Sequence, residues 1–123
     1  MSSAHHRLHS FAAALRGLLT SVRSEANFQL ELVLAIIATA LGTWLHLAAV
    51  EWAILVLAMG GVLAAELFNT AIEQLADVQK PRLDPVVKIV KDVAAAAVLV
   101  TSLTALIIGI VLFAPRLVHF WYT

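Results

Sequence analysis

The sequence predicts an all-α integral membrane protein with three transmembrane helices and one amphipathic helix ahead of them. Hydrophobic residues make up 62% of its 123 residues and charged residues only 13%, whereas soluble domains are about 45–50% apolar. A water-soluble domain of this length has too small an interior to bury so much apolar surface, so a bilayer is its natural solvent. The length indicates a single domain, residues 1–123.

An amphipathic helix is expected at about residues 7–24. Apolar side chains recur there at spacings of three and four, which places them in one stripe. The stripe consists of Leu8, Phe11, Leu15, Leu18, Leu19 and Val22. Arg7 and Arg16 fall largely outside it. We expect this helix to lie on the membrane surface; packing against protein is the alternative.

Three apolar segments follow, at about residues 28–47, 52–77 and 92–114. Each is close to the ~20 residues that a helix needs to cross the hydrocarbon layer. Pro81 and Pro85 lie between the second and third segments, where we expect them to end the second helix and shape a turn. The short polar connections leave no room for a soluble second domain.

The basic residues predict the orientation of these spans. Seven of the eight precede the first span or lie between the second and third, and only Arg116 lies on the other side. Cytoplasmic loops carry the excess of Lys and Arg, so the N-terminus is expected inside and the C-terminus outside. Trp44, Trp52, Trp121 and Tyr122 flank the outer ends of the spans, as an aromatic belt would.

Composition excludes several functional classes. The formal net charge is zero, so charge indicates no nucleic-acid partner. The chain has no cysteine and therefore no disulfide, thiolate metal site or cysteine nucleophile. The N-terminal segment lacks a continuous hydrophobic core followed by a small-residue cleavage site, so it is not expected to be a signal peptide.

A polar stripe interrupts the second span. Glu66, Asn69, Glu73 and Asp77 fall within roughly 80° of arc and over about 16 Å of helix, from mid-membrane to the cytoplasmic boundary. Charged groups inside a span are costly, and they tend to face a bundle interior or a watery cavity. The stripe therefore predicts a functional site, although Asn69 could serve helix association and Asp77 lies near a helix end where solvation is cheap.

Further acids are expected at the same membrane level. Glu25 and Glu31 flank the entry into the first span, and Asp92 follows Lys91 where the third begins. Clustered carboxylates without thiolates suit Mg²⁺, which usually takes its remaining ligands from phosphate oxygens. Lys91 and the arginines of the amphipathic helix could bind those phosphates. The chemistry indicated is phosphoryl transfer from a nucleotide to a hydroxyl at the membrane surface.

Two other classes of function remain open on the residues alone. Intramembrane acids often line a proton or ion pathway, but here the ionisable groups stop near the midplane. A scaffold could use polar residues for helix association only. Glu25 could also form an ordinary ion pair with Arg23. No Walker-type glycine loop is present, so any nucleotide site must be of another kind.

The motifs resemble a known family. The block "AELFNTAIEQLAD", followed by "KIVKDVAAAAVLV", is similar to the prokaryotic diacylglycerol kinases, a family of small integral-membrane lipid kinases. "SFAAALRGL" and "SEANF" extend the resemblance to about residues 10–115. "NTAIE", "EWAIL" and "IIGIVLFAPRL" resemble the undecaprenol kinase branch more closely, with the diacylglycerol branch as the alternative.

The resemblance implies a role for each matching residue. Glu66 matches the general base on the lipid hydroxyl, with Asn69 and Asp92 supporting the catalytic site. Glu25 and Glu73 match the carboxylates that bind the divalent metal. The remaining matches lie on the nucleotide side or close to the site: Lys91 as the phosphate-binding lysine, Asp77 near the nucleotide, and Glu31 as a further acidic position. Arg7 and Arg16 are the arginines of the amphipathic helix that are expected to bind the phosphates.

The resemblance also implies the setting of the reaction. Mg²⁺ and ATP are the expected cofactor and phosphoryl donor, and undecaprenol or diacylglycerol is the expected acceptor. Members of the family are homotrimers with three spans and one surface helix per chain. The expected location is the inner (plasma) membrane of a bacterium, with the active site facing the cytoplasm.

Overall fold

The computed structural model describes residues 3–79 and 84–123, apart from the side chain of Gln79. Every regular element among these residues is an α-helix, which confirms the predicted all-α class. The helices are α1 (Ser3–Ser24), α2 (Ala26–Trp44), α3 (Ala49–Gln79) and α4 (Pro85–Tyr122). Lys80, Pro81 and Arg82 lie outside the described residues.

Three of the helices are long and apolar enough to cross a membrane. They are Ala26–Trp44, Ala49–Val78 and Pro85–Tyr122. Between 11% and 22% of their most apolar windows is buried within the chain, so most of their side chains face outward. Outward-facing apolar side chains are expected of spans surrounded by lipid or by other helices. The prediction of three candidate spans in a multi-pass membrane protein is confirmed.

The largest interface joins α3 to α4, while α2 packs on α3 and α1 meets mainly α2. The apolar core of the chain lies near the α2–α3 turn, where Leu47 and Leu55 cluster with Leu112 and Phe113. Partly buried side chains from α2, α3 and α4 surround this cluster. This cluster thus lies at the end of the bundle opposite the polar stripe of α3.

Close packing fixes the α2–α3 turn. His46 has a φ of 56°, and the N–H of Leu47 donates to the carbonyl of Gly42 at 3.1 Å. A Cβ on Gly42 would lie 2.9 Å from both Leu47 Cδ1 and Trp52 Cη2. Such contacts are shorter than van der Waals separation, so a side chain at this position would force Leu47 and Trp52 to move.

The start of α4 differs from the sequence-based expectation. Pro85 occupies the first turn of α4, where its missing N–H leaves no hydrogen bond unmade. Asp84 is the N-cap, and its Oδ1 accepts from the backbone N–H of Val86 at 2.8 Å and of Val87 at 3.4 Å. Pro85 therefore begins α4, about seven residues before the start predicted for the third span at about residue 92.

An ion pair links α3 to α4 at the end opposite the polar stripe. Arg116 Nη1 and Nη2 donate to Glu51 Oε2 and Oε1, each at 2.6 Å. Glu51 Oε1 also accepts from the backbone N–H of Ala48 at 2.9 Å, and Arg116 Nη1 donates to the carbonyl of Leu112 at 3.0 Å. Sequence reasoning placed Arg116 on the outer side but gave it no partner. Two parallel hydrogen bonds between a guanidinium and a carboxylate fix their relative orientation.

Candidate active site

The polar stripe of α3 divides into a buried part and an exposed part. Glu66 is 4% exposed and Asn69 is 8% exposed, whereas Glu73 and Asp77 are open to the surroundings. A buried carboxylate is costly unless it is neutralised or serves a function. Glu66 forms no side-chain hydrogen bond within the described part of the chain. Of the four residues of the stripe, Glu66 is therefore the one that is hardest to explain by a structural role.

The structure brings further carboxylates close to Glu66. Those of Glu31, Glu73 and Glu25 interact electrostatically with it, so groups from α2, α3 and the α1–α2 junction share one region. Like charges that interact in this way repel one another and favour a bound cation or proton. The arrangement can therefore attract a cation or hold a proton on one of its carboxylates.

Asn69 connects the buried and exposed parts of the stripe. Its Nδ2 donates a long hydrogen bond of 3.5 Å to Glu73 Oε1, while its Oδ1 is buried without a hydrogen-bond partner. An orphaned buried acceptor usually indicates a bound ligand, ion or water. The amide oxygen is thus free to accept from a hydroxyl or to support a cation.

The region around Glu66 contains oxygen donors of the kind that a divalent cation needs. Within residues 3–79 and 84–123, no group of three or more His, Asp or Glu side chains is close enough to hold a metal alone. Mg²⁺ is usually bound by one or two carboxylates together with substrate phosphates, so it needs no such cage. Glu25 and Glu73 supply two carboxylates, and the unpartnered Oδ1 of Asn69 is a further oxygen donor nearby. These residues fit a magnesium ion that arrives with a nucleotide.

Both lysines at the start of α4 are engaged in ion pairs. Lys91 Nζ binds Asp77 Oδ1 across the α3–α4 interface, and Lys88 Nζ binds Asp92 Oδ2 at 2.8 Å within α4. The side chains of Lys88 and Asp92 are 74% and 64% exposed, so their pair is solvated. Lys91 is 27% exposed and lies nearer to α3. Among the predicted site residues, Lys91 and Asp77 are therefore brought together, while Asp92 faces Lys88.

Arg7, Arg16 and Glu25 belong to the N-terminal part of the chain. Arg7 and Arg16 are exposed on α1, and neither forms an ion pair within the part that the structure describes. Glu25 separates α1 from α2 with extended backbone angles, φ −102° and ψ 108°. No ion pair between Glu25 and Arg23 occurs among the described residues, so the alternative of an ordinary interfacial pair is not supported.

Sequence reasoning missed one polar residue next to Glu25. Gln29 Nε2 donates to the carbonyl of Val22 at 2.8 Å and to that of Arg23 at 3.3 Å. The sequence did contain a signal for Gln29. It is an amide side chain in the first turn of an apolar span, one helical turn after the acidic residue Glu25.

An apolar groove of about 570 Å³ runs along α2, α3 and α4. Glu31 is the one charged side chain among the described residues that line it. Its apolar lining includes Leu34, Ala38, Met59, Leu106, Gly109 and Phe113. The groove therefore connects the level of the carboxylates with the apolar interior of the bundle.

Comparison with known proteins identifies the family. Residues 12–113 match the family model described as prokaryotic diacylglycerol kinase. The chain is 37% identical, over 95% of its own length and 100% of the relative's, to undecaprenol kinase of Bacillus subtilis. It is 33% identical, over 89% of its own length and 63% of the relative's, to diacylglycerol kinase of Synechocystis sp.. The resemblance seen in the motifs is confirmed: the chain belongs to the prokaryotic diacylglycerol kinase family.

Proposed function

We propose that this protein transfers the γ-phosphoryl group of ATP to the terminal hydroxyl of undecaprenol, giving undecaprenyl phosphate and ADP. The observation that carries the proposal is the convergence of Glu25, Glu31 and Glu73 on the buried Glu66. This cluster lies in a chain of three apolar helices that belongs to a kinase family. A relative that the chain covers completely is named undecaprenol kinase.

Membership of a kinase family implies a nucleotide phosphoryl donor. We assign ATP as this donor and Glu25 and Glu73 as the residues that hold Mg²⁺ with it. When bound, Mg²⁺ would supply positive charge to the phosphate oxygens. Lys91 binds phosphate oxygens as a point charge. On the nucleotide side the proposal also places Asp77, Arg7 and Arg16.

Glu66 acts as the general base in this proposal. Its carboxylate accepts the proton of the lipid hydroxyl as the hydroxyl oxygen forms a bond to the γ-phosphorus. The bond between the γ-phosphorus and the β,γ-bridging oxygen breaks, and ADP leaves with the electron pair. The Oδ1 of Asn69, which has no partner in the described structure, is available to accept from the hydroxyl and orient it. Asp92 belongs to the proposed catalytic set as the partner of Lys91 in the site, although its carboxylate pairs with Lys88 in the structure.

The proposed assembly is one lipid kinase domain, residues 1–123, in the bacterial plasma membrane. We propose that α1 lies on the cytoplasmic surface as an amphipathic helix, because Leu8 and Phe11 are 70% and 65% exposed and need an apolar environment. We propose a homotrimer with the N-terminus and active site in the cytoplasm and the C-terminus outside. Association with other copies would cover part of the apolar surface that α2, α3 and α4 leave open.

Diacylglycerol is the second candidate acceptor, because the Synechocystis relative is named diacylglycerol kinase. The test compares undecaprenol and diacylglycerol side by side in mixed micelles with Mg·ATP, measuring phosphate transferred to each lipid. Faster turnover of undecaprenol is expected. Preference for diacylglycerol would favour the second acceptor, and inactivity on both would contradict the proposed reaction. Proton flux into liposomes without ATP would instead favour a pathway protein.

A further inference from the structure

The junction between α1 and α2 leaves hydrogen-bond acceptors to be satisfied. The last four carbonyls of a helix have no partner within it; in α1 these belong to residues 21–24. The N–H of Glu25 takes the carbonyl of Ser21 at 3.0 Å. The next two carbonyls, of Val22 and Arg23, both accept from the side-chain amide of Gln29. One side chain of α2 thus satisfies two of the four carbonyls at the end of α1.

Glu25 occupies the N-cap position of α2 without capping it. Its side chain forms no hydrogen bond to the N–H groups of the first turn, although N-cap side chains commonly do so. Its backbone carbonyl accepts from the N–H of Gln29 at 3.0 Å. The carboxylate is therefore left free to interact with Glu66. The side chain of Gln29, and not that of Glu25, therefore stabilises the helix junction.

We propose that Gln29 is a positioning residue for the Glu25 carboxylate. Its amide joins the end of α1 to the first turn of α2, with Glu25 as the single residue between the two helices. Phe28, which is 2% exposed, anchors the same turn. The inference rests on the proposed function, since it assigns Gln29 to the carboxylate that would hold Mg²⁺.

Removing the amide donor of Gln29 should weaken the dependence of the reaction on Mg²⁺ binding more than it changes any other kinetic property. Gln29→Met keeps the length and shape of the side chain but cannot donate to the two carbonyls. We expect the Mg²⁺ concentration for half-maximal phosphorylation to rise about two- to tenfold, which corresponds to the loss of ordinary hydrogen bonds. The KM for the lipid should stay unchanged. A residue needed only for folding would lower activity equally at every Mg²⁺ concentration.

One matched variant accompanies this measurement. Gln74→Met changes an exposed glutamine of α3 that forms no side-chain hydrogen bond in the described part of the chain. It should leave the magnesium dependence unchanged. An unaltered magnesium dependence in Gln29→Met would overturn the proposal.

A second measurement does not depend on enzymatic activity. The chain has no cysteine, so spin labels can be attached to Ala13→Cys in α1 and Ala40→Cys in α2, both exposed positions. In full-length protein in nanodiscs, diluted with unlabelled chain, the distance distribution between the labels should broaden or shift with Gln29→Met. Gln29→Lys, which retains a donor at the end of a long side chain, should restore it.

The two measurements separate failure of the inference from failure of the proposed function. An unchanged distance distribution in Gln29→Met means that the amide does not fix the junction, and the proposal is then wrong. If the wild-type protein phosphorylates neither lipid, the proposed function fails, and the distance measurement still decides whether Gln29 sets the junction.

Discussion

Glu66 is buried at 4% exposure and is approached by three other carboxylates. Glu66→Gln keeps the shape of the side chain but removes its capacity to accept a proton. We expect turnover to fall about 10²–10⁴-fold, the contribution that a general base typically makes. Equilibrium binding of Mg·ATP should change little, because the proposed nucleotide contacts lie elsewhere. Lipid phosphorylation in mixed micelles and nucleotide binding by calorimetry measure the two effects.

Glu73→Gln is the matched comparison, since Glu73 lies on the same stripe but is exposed. It should weaken Mg·ATP binding, whereas Glu66→Gln should spare it. Equal loss of binding in both variants would contradict the division of roles between these two residues.

The stripe of α3 could be predicted at the level of single residues because helical periodicity alone places Glu66, Asn69 and Glu73 on one face. Which of them is buried could not be predicted, since burial depends on how α3 packs against other helices. The pairing of Lys91 with Asp77 was likewise beyond the sequence. Helical periodicity relates residues of one helix and does not give the register between two.

The α2–α3 turn depends on the absence of a side chain at Gly42. Gly42→Ala would place a methyl group 2.9 Å from Leu47 and from Trp52, so the turn must open or repack. We expect a loss of about 1–3 kcal/mol in the free energy of unfolding. Gly17→Ala is the control, because a Cβ at Gly17 has nothing within 4 Å and alanine is the better helix former. Unfolding in detergent mixtures followed by circular dichroism distinguishes them, and equal stability of both variants would be contrary to this account.

The helices themselves were largely predictable, because long apolar segments and turn residues are read directly from the sequence. The ends of the helices were less predictable. α4 continues to Tyr122 and contains Pro115, although proline usually disrupts a helix interior. The partners that settle such ends, like Asp84 at the start of α4 or Gln29 at the end of α1, become apparent only in three dimensions.

The chain as a whole is predicted to cross the membrane three times with its N-terminus inside. Because it has no cysteine, the single variants Ser10→Cys and Thr123→Cys each carry one thiol. A membrane-impermeant maleimide applied to spheroplasts should label Thr123→Cys at once and Ser10→Cys only after permeabilisation. The reverse pattern would place the proposed active site on the wrong side for cytoplasmic ATP.

The membrane class of the molecule could be predicted from composition, because 62% hydrophobic residues exceed what so small a chain can bury. The number of copies in the assembly could not be predicted from composition. Apolar side chains that face lipid and those that face another helix have the same chemistry, so α2, α3 and α4 carry no sequence signal that separates them.

The length of α4 has a mechanical consequence. Its 38 residues correspond to about 57 Å of helix, almost twice the ~30 Å thickness of the hydrocarbon layer. Even when tilted, such a helix reaches water at both ends. Between Pro85 and Ala114 no internal proline interrupts it, and a rod tilts about its middle. Any rotation that carries Lys91 sideways at one membrane surface must therefore carry the other end of α4 in the opposite direction.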